Sequence, residues 1–125
     1  MKYLLDTHTL LWGLYDSSEL SPAAIRIMSK ESCCISIASL WEMAIKNSLG
    51  KLSLSQSILT ISSKCKEYGI EMIPIKPEHC QAITILPFIH KDPFDRIIIA
   101  QAKTEDMAIL TKDSFIPMYD VKTLW

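Results

Sequence analysis

Four short apolar runs, alternating with stretches of helical periodicity, restrict what this chain can fold into more than any other feature. They are Tyr3–Leu5, Cys33–Ser36, Ile70–Ile75 and Met107–Leu110. The first shows no polar alternation, as expected of a strand covered on both faces of a parallel sheet. Strands alternating with helices of this size imply a parallel sheet with helices on both faces and right-handed crossovers. Tyr119–Val121 offers a fifth strand, and Pro74 marks the Ile70–Ile75 run as an edge strand.

Capping residues set the predicted helix boundaries. A helical pattern starts at Thr9 with Leu10, Leu11 and Leu14 at helical spacing. Ser21-Pro22 supplies an N-cap and a first-turn proline for a helix to about Lys30. Ala38–Leu49 reads as a helix stopped by Gly50, and Ser53–Glu67 as another ended near Gly69. Pro77 opens a short helix to about Leu86, where Pro87 stops it. Asp92-Pro93 starts a longer one to about Asp106.

A length of 125 residues, 49% of them hydrophobic and 22% charged, predicts one folded domain over residues 1–125 with a substantial core. The net charge of −1 gives no general basic signal for nucleic acid. Setting four acids aside turns the remainder mildly positive, which permits a polyanionic substrate. Cys33, Cys34, Cys65 and Cys80 form no Cys-x-x-Cys pair, so a zinc site is not expected. Cys33 and Cys34 read as small core residues, and His79 beside Cys80 reads as chance. Asp6 interrupts the first apolar run too early for a signal peptide, and no run is long enough to span a membrane. The expected setting is soluble, reducing and cytoplasmic.

In a parallel sheet, strand carboxyl ends and helix amino ends share one edge, where ligands bind. That rule sorts the acids. Asp6 ends the first strand. Glu42 lies about 6 Å into the helix after the second strand, at ~1.5 Å per residue. Asp95 falls in the first turn of the helix before the fourth strand, and Asp113 follows that strand directly. Asp106 belongs at the far end. Glu42 shares a stripe with Ala38, Ile45 and Leu49, and Asp95 shares one with Ile98, Ile99 and Ala102, whereas a solvated acid would avoid such stripes. Arg96 and Lys103 point elsewhere.

Each acid also has an ordinary structural reading. Asp6 suits a helix N-cap. Glu42 can pair with Lys46 at i+4 for ~0.2–0.5 kcal/mol. Asp95 can complement the helix dipole for ~0.3–1 kcal/mol. Four convergent carboxylates would nevertheless repel and raise one another's pKa values, and a divalent cation removes that cost. Oxygen-only ligation suits Mg²⁺ or Mn²⁺, ions that activate water for attack on phosphodiesters.

Four segments, YLLDTHTLLW, ISIASLWEMAIK, HKDPFDRIIIAQA and AILTKD, occur in an order and spacing that resemble PIN-domain proteins, above all the VapC-type toxin ribonucleases of bacterial toxin–antitoxin pairs. The resemblance spans essentially the whole chain. It implies a PIN-like three-layer α/β/α sandwich around a parallel sheet of four to five strands. It also implies Mg²⁺- or Mn²⁺-dependent endoribonuclease activity on RNA, a homodimer, and a cognate antitoxin that blocks the site. By position, Asp6, Glu42 and Asp95 match the metal-binding acids and Asp113 the more variable fourth. Thr7 and Thr111 match hydroxyl positions that hold water or metal ligands in place. Asp92 and Asp95 compete for one role, which is assigned to Asp95, with Asp92 as an N-cap. Arg96 is expected to pair with an acid or touch phosphate. Trp12 and Trp41 are expected in the core or at a dimer contact, and Leu10, Leu11 and Trp12 are candidate surface contributors to the dimer.

Two other classes compete. A signalling receiver domain needs a phosphorylatable Asp at the end of its third strand, and Ile73-Pro74-Ile75 supplies none. A non-catalytic PIN-like RNA-binding or regulatory module would share the fold, but the presence of all four acids argues against it.

Overall fold

The apolar runs become the strands of one fully parallel sheet in the computed structural model, which describes residues 1–125. The strands are β1 (Lys2–Leu5), β2 (Ser32–Ser36), β3 (Glu71–Ile73), β4 (Ala108–Leu110) and β5 (Thr123–Leu124), in the order β3-β2-β1-β4-β5. Leu4 pairs with Cys34 and Ile109, and Leu5 with Ile35 and Leu110. The first set packs into one core layer and the second into the other, which is why these runs carry no polar alternation.

Six helices cover the two faces. They are α1 (Thr7–Tyr15), α2 (Pro22–Lys30), α3 (Ile37–Ser48), α4 (Ile58–Glu67), α5 (Pro77–Ile83) and α6 (Pro93–Thr104). Residues of α5 and α6 pack on the Leu4 face, while α1, α2, α4 and most of the buried side of α3 pack on the Leu5 face. The result is the expected three-layer sandwich. Ser21 Oγ accepts from the Ala24 amide at 3.0 Å, and Asp92 caps α6. After α3 and α4 the chain turns through Gly50 (φ 71°) and Gly69 (φ 73°), a left-handed conformation that favours glycine.

Helix α1 starts at Thr7 rather than Thr9 and β3 is shorter than Ile70–Ile75, and three further boundaries also differ from expectation. Helix α4 starts at Ile58 because Ser57, not Ser53, caps it by accepting from the Thr60 amide at 3.1 Å. The preceding segment instead packs Leu52 and Leu54 against the core. Helix α5 stops at Ile83, with turn bonds carrying the chain on to Leu86. The fifth strand forms at Thr123–Leu124, after a 3-10 turn at Ile116–Met118, because Tyr119 turns its ring inward. Strand β3 lies at the edge, as Pro74 requires. Cys33, Cys34 and Cys65 are buried, and all four cysteines are free thiols. Burial raises the Cys33 thiol to about 11 and Cys34 to about 12, so both stay protonated and inert. No helix is long and apolar enough to cross a membrane.

Candidate functional site

Strand ends and helix starts meet at one edge of the sheet, around a cleft of about 440 Å³. Asp6, Glu42, Asp92, Asp95 and Asp113 all line it. Asp106 does not; it lines a separate cavity with Lys103 and Asp120.

Each acid is anchored by its own neighbourhood. Asp6 caps α1, its Oδ1 accepting from the Thr9 amide at 2.9 Å, while Oδ2 accepts from the Thr111 hydroxyl. Its capping role and its place in the cleft coexist. Glu42 is only 6% exposed; its Oε1 accepts from Thr7 Oγ1 at 2.5 Å and its Oε2 pairs with Lys46. The i+4 ion pair therefore forms, but around a buried carboxylate. Asp92 accepts from the amides of Phe94 at 2.9 Å and Asp95 at 3.2 Å, as an N-cap does. Asp113 Oδ1 accepts from the amides of Phe115 at 2.7 Å and Ile116 at 3.0 Å, holding the loop after β4. Thr111 Oγ1 also accepts from the Asp113 amide at 3.0 Å, so one hydroxyl links Asp6 to that loop.

Charge is not balanced here. Lys46 and Lys112 are the only lysines on a cleft with five carboxylates. Lys46 is spent on Glu42; that bond raises the lysine's pKa against its burial, and the charges of Asp92 and Asp95 add to the effect. Lys112 has no ion-pair partner and sits 5.8 Å from the centre of the Trp12 ring. Asp95 carries the strain. Burial pushes its carboxyl up to about 6, and the charges of Asp92 and Asp113 add to this against an opposing hydrogen bond from His90.

The acids share a cleft without forming a ligand shell: no three His, Cys, Asp or Glu side chains stand close enough to hold one ion. Four acids on one sheet edge predict tighter convergence than this. Thr111 holds Asp6, while Thr7 and Lys46 hold Glu42.

Arg96 neither pairs with an acid nor lines the cleft. It is 5% exposed, donates to the Pro87 carbonyl at 2.8 Å and the Tyr119 hydroxyl at 3.1 Å, and lies 4.3 Å from the Phe88 ring centre. Trp41 is 60% exposed, edge-on to Phe94, and so is not a core residue. Leu10 is fully buried, which removes it as a surface contributor to a dimer, whereas Leu11 and Trp12 pack against the core and stay partly exposed. Trp12 lines the cleft beside His8.

His90 escaped the sequence reading. Its Nε2 lies 3.0 Å from Asp95 Oδ2 and its Nδ1 2.8 Å from the Tyr119 hydroxyl, with the ring stacked on Phe115. The available signal was its place five residues before Asp95, within HKDPFD.

Residues 3–121 match the sequence model of the PIN domain family. No curated protein sequence matches the chain. Among solved structures, VapBC2 from Rickettsia felis, bound to a DNA fragment from its promoter, superposes with a TM-score of 0.73 at 15% identity, covering 100% of this chain and 99% of that one. DNA-bound VapBC from Salmonella typhimurium gives 0.69 at 15% identity over 99% and 97%. FitAcB from Neisseria gonorrhoeae gives 0.67 at 13% identity over 98% and 96%. At these identities the likeness is one of fold.

Proposed function

The chain belongs to the PIN-domain family, and from that premise we propose that it is a metal-dependent endoribonuclease, the toxin of a toxin–antitoxin pair. The observation that carries the reading is the meeting of Asp6, Glu42, Asp95 and Asp113 on one cleft at the carboxyl edge of the sheet. Their donor chemistry, carboxylate oxygen alone, suits Mg²⁺ or Mn²⁺ rather than zinc. When bound, such an ion supplies Lewis acidity that activates water for in-line attack on a phosphodiester. The chain's own groups do the rest. Thr111 and the Thr9 amide orient Asp6, Thr7 orients Glu42, and unpaired Lys112 offers a positive charge to substrate phosphates at the rim.

The VapBC and FitAcB complexes among the structural neighbours support a protein antitoxin as partner. Family membership supports a homodimer, which light scattering at micromolar concentration would detect. The acids' spacing favours one competitor, a non-catalytic PIN-like RNA-binding or regulatory module, since no three of them stand ready to hold an ion.

One assay separates the two readings. Purified protein is incubated with unstructured RNA in Mn²⁺, with an EDTA control and an Asp6→Asn variant purified in parallel. Cleavage that needs Mn²⁺ and is lost in the variant supports the nuclease. RNA binding without cleavage supports the non-catalytic module.

A further inference from the structure

Arg96 is a buried cation with no carboxylate partner, an arrangement that is costly unless its charge is answered some other way. Its guanidinium donates to the Tyr119 hydroxyl oxygen at 3.1 Å. The backbone amide of His90 donates to the same oxygen at 3.3 Å. Both donors are obligate: neither guanidinium nor amide can accept in return. With two protons arriving, the phenol must send its own proton elsewhere. The near acceptor is His90 Nδ1 at 2.8 Å; the His90 carbonyl is 3.5 Å away.

That settles the imidazole. A ring nitrogen that accepts carries no proton, so the neutral His90 ring bears its hydrogen on Nε2. Nε2 lies 3.0 Å from Asp95 Oδ2. The bonds therefore run in one direction, from the Arg96 cation through Tyr119 and His90 to the Asp95 carboxylate. The opposite tautomer would bring three protons to the Tyr119 oxygen and leave Nε2 and Oδ2 as facing acceptors. Phe115 stacks on the ring at 4.9 Å, 11° from parallel, and fixes its plane.

We propose that His90 is a positioning residue for Asp95, held as the Nε2-protonated tautomer by this relay so that Asp95 Oδ2 is fixed and Oδ1 is presented to a divalent cation. No hydrogen bond reaches Oδ1, whereas both oxygens of Asp6 and of Glu42 are engaged. Of Asp6, Glu42 and Asp95, Asp95 is thus the acid that is both oriented and open. The role rests on the metal reading of the cleft proposed above. Partners that orient a ligand in this way typically contribute about 10–100-fold to metal affinity.

The test has two arms. In the first, ¹⁵N spectra of the wild-type imidazole rings, recorded with EDTA, should show His90 protonated at Nε2 and bare at Nδ1. In Tyr119→Phe the Nε2-protonated fraction should fall without vanishing, because Asp95 Oδ2 still accepts from Nε2. In the second, Mn²⁺ titration calorimetry should show affinity weakened about 10–100-fold in His90→Ala. His90→Gln, which returns an N–H near the Nε2 position, should recover most of the loss. Tyr119→Phe should show a smaller loss. An Nδ1-protonated ring in a wild-type protein that binds Mn²⁺ overturns the relay alone, and needs no variant to fold. Unchanged Mn²⁺ affinity in His90→Ala overturns the positioning role. An Nε2-protonated ring in a wild-type protein that takes up no Mn²⁺ overturns the metal reading, and with it the role assigned to His90.

Discussion

On the amino-terminal side of the sheet, Lys2 meets Glu71 at 2.5 Å and Lys76 meets Glu105 at 3.8 Å, around a cavity of about 340 Å³. At the carboxyl edge, five carboxylates share about 440 Å³ with two lysines, only one of which is paired. The two cavities are similar in size and opposite in electrostatics. Where acids and bases lie on exposed ends of elements, they settle into pairs worth ~0–1 kcal/mol each. Where strand ends and helix starts fix the acids by capping and buried hydroxyl bonds, charge stays unbalanced. That maintained imbalance is what sets the cleft apart and what the proposed metal site draws on.

Function should separate the two ends most sharply. Asp6→Asn and Asp95→Asn should each cost orders of magnitude in Mn²⁺-dependent RNA cleavage, whereas Glu71→Gln should leave the rate unchanged in the same assay. Equal losses at both ends would break the comparison.

Metal should separate them next. Thermal melts with EDTA and then with Mn²⁺ at a hundred times its dissociation constant should show wild type stabilised by about 2.7 kcal/mol. Glu71→Gln should respond like wild type, and Asp6→Asn less.

The cleft should also cost stability. With its folded-state carboxyl raised to about 6, Asp95 keeps its proton at pH values where the unfolded chain, near ~3.9, has released it. The native state then loses stability as pH rises from about 4 to about 6, and the loss persists at pH 7. Asp95→Asn, which still accepts from His90, should therefore melt higher than wild type at pH 7 in EDTA. The gain should be on the order of 2 kcal/mol after allowing for solvent screening. It should vanish below about pH 4. Smallest of all is Asp92→Asn, since asparagine caps helices as well as aspartate does, with a change within about 0.5 kcal/mol in urea unfolding.

Much of this arrangement was legible in the chain. Ser21-Pro22 and Asp92-Pro93 announce their helices through local chemistry, and the unalternating Tyr3–Leu5 run announces a buried strand. Parallel topology then places Asp6, Glu42, Asp95 and Asp113 on one edge without knowledge of any contact. What was illegible depends on long-range packing. Ser53 reads as the start of its helix until Leu52 and Leu54 find the core and Ser57 takes the cap. Tyr119 looks like a strand residue until its hydroxyl meets a histidine 29 positions away. Arg96 reads as a partner for an acid or a phosphate until Phe88 and Tyr119 enclose it. The degree of convergence was also out of reach, because Thr7, Lys46 and Thr111 decide it through side-chain bonds.

The central claim is that the unbalanced edge of the sheet, and not the balanced one, holds a divalent cation through its carboxylates. Mn²⁺ titration calorimetry on wild type, Asp95→Asn and Glu105→Gln tests it most directly. The account predicts saturable binding to wild type, at least tenfold weaker binding to Asp95→Asn, and wild-type affinity in Glu105→Gln. Binding that survives Asp95→Asn unchanged, or that is lost in Glu105→Gln, would contradict it.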